Sequence, residues 1–219
     1  MTLKEKDFIE IEFTGKIRDG DIFDSNIKQD IDGAGLKTPA EPFAFALGQG
    51  MFLKGIDDFL VGKEVGKTYD VNLEAKDAFG ERNPELMKLL PLNVFKQHKI
   101  NPIPGAMLNF DGKPARILSV SGGRVRVDFN NPLAGKDVNY KIKVLKKLDK
   151  IDDKVNALNN FLFRKKFKFE IKDKKLILEV DKQFLKFVEL FKEKFKEILD
   201  LDLEVKELKD ESKSSENTK

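Results

Sequence analysis

Over roughly the first eighty residues, apolar and polar positions alternate in short runs. Ile9, Ile11 and Phe13 alternate with Glu10 and Glu12, the period-2 pattern of a strand with one buried face. Asp19-Gly20 marks a turn before a short apolar step at Ile22 and Phe23. Phe43, Phe45 and Leu47 alternate again, as do Tyr69, Val71 and Leu73 against Asp70, Asn72 and Glu74. Between those runs, Phe52 to Leu60 reads as a short helix closed by Gly62. The spacing predicts a strand-rich domain around one helix.

A different texture follows. Five of the eight prolines fall between Pro84 and Pro114, and Asn83-Pro84 predicts a helix start, a capping residue before a first-turn proline. After Gly105 come three strand-like runs, Met107 to Phe110, Pro114 to Val120 and Arg124 to Phe129. Asp111-Gly112 and Gly122-Gly123 separate them with the chemistry of tight hairpins. Residues 85–130 therefore read as a small β-rich domain inserted into a larger one, built from 1–84 and 131–149. The larger domain resumes with Tyr140, Ile142 and Val144 alternating with Lys141 and Lys143.

From Lys150 a third domain is predicted, over 150–209. A helix from Asp152 precedes two strands, Phe167 to Ile171 and Leu176 to Val180, joined by a turn at Asp173-Lys174-Lys175. Phe184, Phe187, Phe191, Phe195 and Ile198 then recur at three- and four-residue steps, which predicts one amphipathic helix of about five turns. Leu201, Leu203 and Val205 return to period 2. Residues 210–219 are polar and read as a disordered tail. The fold class expected is α+β throughout.

Composition narrows the chemistry. The 219 residues hold 41 Lys+Arg against 38 Asp+Glu, a formal net charge of +3, without the clustered basic excess of a phosphate-backbone binder. The C-terminal stretch is lysine-rich, yet from Lys150 it carries eighteen basic and sixteen acidic residues, the balance of a solvated surface. Nucleic acid is accordingly not an expected partner. The absence of cysteine excludes disulfides, thiol nucleophiles and Cys-ligated metals, and one histidine, His98, cannot build a multi-His site. No metal or cofactor is expected. Met1 to Asp7 lacks a signal-peptide core and no run approaches the ~20 apolar residues of a membrane span, so a cytoplasmic protein is expected. Gly66-Lys67-Thr68 resembles the end of a phosphate loop, but position 61, where that motif needs glycine, is Val61. Gly33-Ala34-Gly35 has no third glycine in place and reads as a flexible loop.

Several short motifs stand in a fixed order. They are Phe13-Thr14-Gly15, Phe23-Asp24-Ser25, Pro42-Phe43 through Leu47-Gly48, Phe52-Leu53-Lys54-Gly55-Ile56, Gly62 and Gly66, Ala78-Phe79-Gly80, Asn131-Pro132-Leu133-Ala134-Gly135, and the strand with Tyr140. In this order and spacing the chain resembles the FKBP-type peptidyl-prolyl cis-trans isomerases. It is most similar in plan to the SlyD-like and long-type archaeal members, in which an insert-in-flap chaperone domain interrupts the isomerase before its last strand. The resemblance covers residues 1 to about 149. It implies an antiparallel half-barrel sheet around a short helix, with the insert at 85–130 and a small α+β domain after it.

The resemblance implies a proline pocket lined by Phe13, Phe23, Phe43, Phe52, Leu53, Ile56, Phe79 and Tyr140, with Asp24 beside it and the Leu53 amide offered to substrate. Ile56 stands where the family has a pocket-floor tryptophan, and Phe13 and Phe79 stand where it has tyrosines. Asp24 would either orient the twisting carbonyl or shape the pocket. The implied activity is rotation of X-Pro bonds in unfolded or partly folded polypeptides, with a client-holding surface on the insert. Candidates for that surface are Leu89, Leu92, Val94, Phe95, Ile100, Ile103, Met107 and Leu108, any of which could instead close the insert's own core. The alternative is a holdase whose altered pocket no longer catalyses. Eight of the nineteen phenylalanines lie beyond Lys150 in a domain small enough to be marginal alone, which leads to the expectation of a homodimer through that domain.

Overall fold

A computed structural model describes residues 1–208, so the tail expected at 210–219 lies outside the described residues. The fold is α+β. In chain order come β1 (Phe8–Ile17), β2 (Ile22–Ser25), α1 (Lys28–Ala34), β3 (Phe43–Ala46), α2 (Lys54–Leu60) and β4 (Thr68–Leu73). Then follow β5 (Met87–Pro91), α3 (Leu92–Gln97), β6 (Met107–Phe110), β7 (Lys113–Ser121), β8 (Arg124–Asp128) and β9 (Val138–Lys147). The chain continues through α4 (Ile151–Phe163), β10 (Lys168–Lys172), β11 (Lys175–Val180), α5 (Leu185–Glu189), α6 (Lys192–Leu199) and β12 (Asp202–Glu207). One five-stranded sheet has the order β2-β1-β9-β4 with β3 also paired to β1. The β1–β3 pairing is antiparallel and runs from Phe8↔Ala46 to Ile11↔Phe43.

Contact density divides the chain into two compact units. The first comprises Met1–Thr14, Asp24–Val71 and the described residues from Lys141 onward. Its core includes Ile9, Ile11, Phe45, Ile56 and Leu60, all fully buried, as the alternation in β1 and β3 and the spacing in α2 require. α2 begins two residues later than the apolar pattern suggests because Leu53 is extended and serves as N-cap. α1 replaces the flexible loop expected at Gly33 and Ala34, and ends at Gly35 in the left-handed region, φ 64°. Its only buried residue is Ile31, so no periodicity announces it.

Within the same unit, β10 and β11 form the expected hairpin, with Asp173 at φ 53° in its turn. β12 returns parallel to β11, from Lys175↔Asp202 to Val180↔Glu207. The single long helix expected from Phe184 to Ile198 is broken into a 3₁₀ turn, α5 and α6. At the break the Leu190 and Phe191 amides bond back three residues, to the Phe187 and Val188 carbonyls, the tighter winding of 3₁₀ structure. The Phe163 ring meets Phe187, Phe191 and Phe195 at 6.0, 5.2 and 6.4 Å between centroids. Packing on one ring outweighs a continuous stripe.

The second unit comprises Gly15–Phe23 and Asn72–Tyr140. Its four-stranded sheet has the order β5-β8-β7-β6. Both hairpin turns predicted there have positive φ at each central residue, Asp111 and Gly112, and Gly122 and Gly123. That is what two-residue loops between twisted strands demand. Asn83 does cap Pro84, accepting the Glu85 N–H at 2.8 Å, but the helix lasts one 3₁₀ turn. Met87 to Pro91 instead pairs with Asp128 to Arg124, so ladder bonding overrides the cap. Phe95, Ala115, Ile117, Val125 and Val127 form the small core beneath the sheet.

Candidate functional site

The loop after β2 is tied to β1 by its side chains. Ser25 Oγ donates to the Phe13 carbonyl at 3.0 Å, and the Ile27 N–H donates to Ser25 Oγ at 3.0 Å. Asn26 receives the Phe13 N–H at 2.7 Å and donates to the Ile11 carbonyl at 2.9 Å. Thr38 Oγ1 donates to the Ser25 carbonyl at 2.8 Å, which draws in the segment before β3. These short, specific bonds hold Asp24 and Phe13 as neighbours on a rigid support.

Phe13, Phe43 and Phe52 form a tight aromatic group. Centroids lie 5.1 Å apart for Phe13–Phe52, 5.4 Å for Phe43–Phe52 and 6.4 Å for Phe13–Phe43. The tilted and edge-on arrangements are those that ring quadrupoles favour. Phe45 stacks on Phe43 at 5.2 Å and closes the group from the core side. Phe13, Phe43, Met51 and Phe52 wall a cavity of about 360 Å³, with Asp24 on its lining. Burial pushes the Asp24 carboxyl above its ordinary value, against a smaller opposing pull from the Ser25 N–H.

A second ring cluster forms within the other unit. Phe23 stands edge-on to Phe79 at 5.5 Å and to Tyr140 at 5.8 Å. Gly15 is required beneath it, since a Cβ there would fall 2.7 Å from Tyr140 Cε1. The structure thus brings Phe13, Asp24, Phe43 and Phe52 around one cavity, and Phe23, Phe79 and Tyr140 into one aromatic cluster. Ile56 is wholly buried and is not among the residues lining the cavity. Leu53 caps α2 through its carbonyl, which accepts the Ile56 and Asp57 N–H groups at 2.9 and 3.0 Å, while among the described residues its own N–H has no acceptor.

The cavity has contributors that motif reasoning misses. They are Asn160, Phe161 and Arg164, at the end of α4. α4 packs against β3, the strand that carries Phe43. More than one hundred residues separate these positions from Phe43 in the chain, and no local pattern could have announced them.

On the insert, Leu89, Val94, Ile100, Ile103 and Met107 are exposed. Leu92 and Leu108 are half-buried against the core. Phe95 is 2% exposed and fills that core, so it is withdrawn from any client-facing role. Leu86 and Met87, not singled out from the sequence, add to the exposed apolar set. His98 is an exposed helix end.

An aromatic wall of Phe13, Phe43 and Phe52 facing polar and charged lining, with the Asp24 carboxyl raised by burial, suits a reaction that makes and breaks no covalent bond. Comparison with known proteins agrees. The family described as FKBP-type peptidyl-prolyl cis-trans isomerase matches residues 1–105, and that described as FKBP26, IF domain matches residues 88–133. The chain is 31% identical over 140 residues to the FKBP-type 16 kDa peptidyl-prolyl cis-trans isomerase of Escherichia coli, covering 62% of this chain and 87% of that protein. It is 28% identical over 145 residues to the short-type peptidyl-prolyl cis-trans isomerase of Methanocaldococcus jannaschii, covering 65% and 92%. It is also 28% identical over 169 residues to the FKBP-type peptidyl-prolyl cis-trans isomerase SlyD of Treponema pallidum, covering 75% and 87%.

Proposed function

The chain belongs to the FKBP-type peptidyl-prolyl cis-trans isomerase family and is a rotamase for proline-containing polypeptides, and we propose that it turns X-Pro bonds in the cavity walled by Phe13, Asp24, Phe43 and Phe52. The observation that carries this reading is the convergence of those four motif positions on one hollow.

Resonance holds an amide planar against a barrier of about 18–20 kcal/mol. X-Pro bonds populate both isomers but exchange them in tens to hundreds of seconds. The planar form is the more charge-separated, so a water-poor aromatic wall disfavours it relative to the twisted state. Removing about 4 kcal/mol from the barrier would accelerate exchange roughly a thousandfold. Asp24, on the cavity lining, would face the twisting carbonyl, and the Leu53 N–H, without an acceptor among the described residues, is available to a client carbonyl.

The insert at 85–130 holds unfolded clients, with Leu89, Val94, Ile100, Ile103 and Met107 as the contact surface. Its exposed apolar side chains and the match of residues 88–133 to an IF domain support this role. Holding a client there raises the concentration of its X-Pro bonds at the pocket. The domain plan remains 1–84 with 131–149, then 85–130, then 150–209. The last domain carries exposed Phe187 and Leu190 beside the Phe163 cluster, which supports a homodimer through that face. The setting proposed is cytoplasmic, in keeping with a cysteine-free chain; no helix among the described residues is long and apolar enough to cross a membrane.

Proline-limited refolding of a model protein tests the division of labour. The intact chain should accelerate the slow phase. Replacing 85–130 with a short loop should cut that acceleration while sparing short proline peptides. Acceleration absent from the intact chain, with aggregation still suppressed, would leave a holdase instead. Sedimentation at high micromolar concentration tests the dimer, which a monomeric boundary removes.

A further inference from the structure

The charges around the cavity are unevenly placed. Asp24 comes from β2, Glu41 from the segment just before β3, and Arg164 from the C-cap of α4. Arg164 is the basic residue among the lining positions. It sits just past the last helical turn in the left-handed region, φ 53°, with its N–H bonded to the Asn160 carbonyl at 3.0 Å. That αL cap fixes the point from which the side chain departs. Its guanidinium forms no ion pair among the described residues, and neither does Asp24 or Glu41. An arginine without a partner at the mouth of a binding cavity has its fork of donors available to a ligand. Phe161, three residues earlier on α4, supplies apolar wall on the same side.

We propose that the end of α4 is part of the substrate site and that Arg164 is a specificity-determining residue, selecting client segments that carry a carboxylate side chain on one flank of the proline. The proposal rests on the cavity being the prolyl site. A client laid across it meets acid at the Asp24 and Glu41 side and base at the α4 side, so charge would set both preference and direction. The C-terminal domain thereby takes part in substrate choice.

The test uses the full chain and short peptides with a neutral residue before proline, bearing Glu, Ala or Lys at each flanking position in turn. For each protein, kcat/KM for the Glu peptide is divided by that for the Lys peptide. Because both come from one preparation, the ratio is insensitive to partial unfolding. An exposed ion pair predicts a ratio of about two- to fivefold in wild type, reduced toward unity by R164A, reversed by R164E and kept by R164K, with all effects shrinking as salt rises. A ratio that is the same for wild type and R164E at every flanking position overturns the proposal. Turnover of the Ala peptide by Phe52→Ala is the separate control. If that variant keeps the wild-type rate, the cavity is not the prolyl site, whatever the ratios show.

Discussion

Asn26 acts as a clamp on Phe13. Its Oδ1 takes the Phe13 N–H at 2.7 Å while the Phe13 carbonyl accepts both the Asn26 N–H and Ser25 Oγ–H, at 3.2 and 3.0 Å. One aromatic wall of the cavity is therefore positioned by hydrogen bonds as well as by ring packing. Replacing Asn26 with alanine removes the side-chain partner of both the buried Phe13 N–H and the Ile11 carbonyl, each at a cost of about 1–3 kcal/mol. Urea unfolding of N26A is expected to show a loss of at least about 2 kcal/mol, and kcat/KM on a short proline peptide should fall even where the protein remains folded. Full activity in folded N26A would show that Phe13 needs no such support.

Half-buried Asp24 and buried Asp128 give opposite pH signatures. Asp24 is raised above 3.8 by burial, so the folded chain holds that proton more tightly than the unfolded one. Its contribution to stability is therefore lost as pH climbs through the raised value. D24N should unfold at higher denaturant than wild type near neutral pH, with the gap closing below the ordinary carboxylate value. The same variant should lower kcat/KM, and wild-type kcat/KM should decline toward acid pH with a midpoint above 3.8.

Asp128 runs the other way. Burial works to raise it, but Asn130 and Arg82 together outweigh that and hold it below 3.8. It joins the two chain crossings at the base of the insert, bonding Arg82 and the Asn130 N–H, the latter at 2.9 Å. Its stabilisation is complete above the ordinary carboxylate value and is lost as pH falls through the depressed one. D128N should therefore cost stability near neutral pH and little at low pH, the mirror image of D24N in the same denaturation series.

Gly15 and Gly33 form a matched pair. A methyl at Gly15 would lie 2.7 and 2.9 Å from Tyr140 ring carbons and 3.1 Å from Phe23 Cζ, whereas a methyl at Gly33 meets nothing within 4 Å. Overpacking of this kind costs about 1–3 kcal/mol. G15A should be destabilised by that amount and should lose activity, because two rings of the aromatic cluster must shift. G33A, inside α1, should gain about 0.5–1 kcal/mol and leave activity alone. Equal stability of the two variants in thermal unfolding would contradict the ring geometry.

Local chemistry made much of this legible. Alternation found β1, β3, β4 and β9, and Asp111-Gly112 and Gly122-Gly123 found both hairpins, because a buried face and a positive φ leave marks in adjacent residues. Of the pocket positions that the motif order named, Phe13, Asp24, Phe43 and Phe52 line one cavity, whereas Leu53 and Ile56 are not among its lining residues. What stayed hidden depends on partners distant in sequence. β5 reads as an apolar run beside a capped proline until β8 pairs with it, and α1 has one buried residue to reveal it. Phe95 resembled a client contact because only the closed sheet of the insert shows that its ring is needed inside. Arg164 reached the cavity through the packing of α4 on β3, a tertiary event with no local signature.

Asn159 is the sharpest test of how α4 is seated. It is fully buried, and neither its amide nitrogen nor its oxygen has a hydrogen-bond partner among the described residues. Unpaired polar groups of this kind cost about 1–3 kcal/mol each by mutational measures. Leucine has the same branched heavy-atom skeleton with bulkier methyl ends, adds no polar atom and favours the helix more than asparagine does. N159L should accordingly raise stability by about 1–3 kcal/mol in urea unfolding, whereas N159D, which buries an unpaired charge, should lower it. N159A should fall between them, since it removes the polar atoms but opens a cavity. If N159L instead unfolds more readily than wild type, the amide has partners in solution, and α4 sits otherwise than described. Arg164 is carried by the same helix, so that outcome would also move it from the cavity wall.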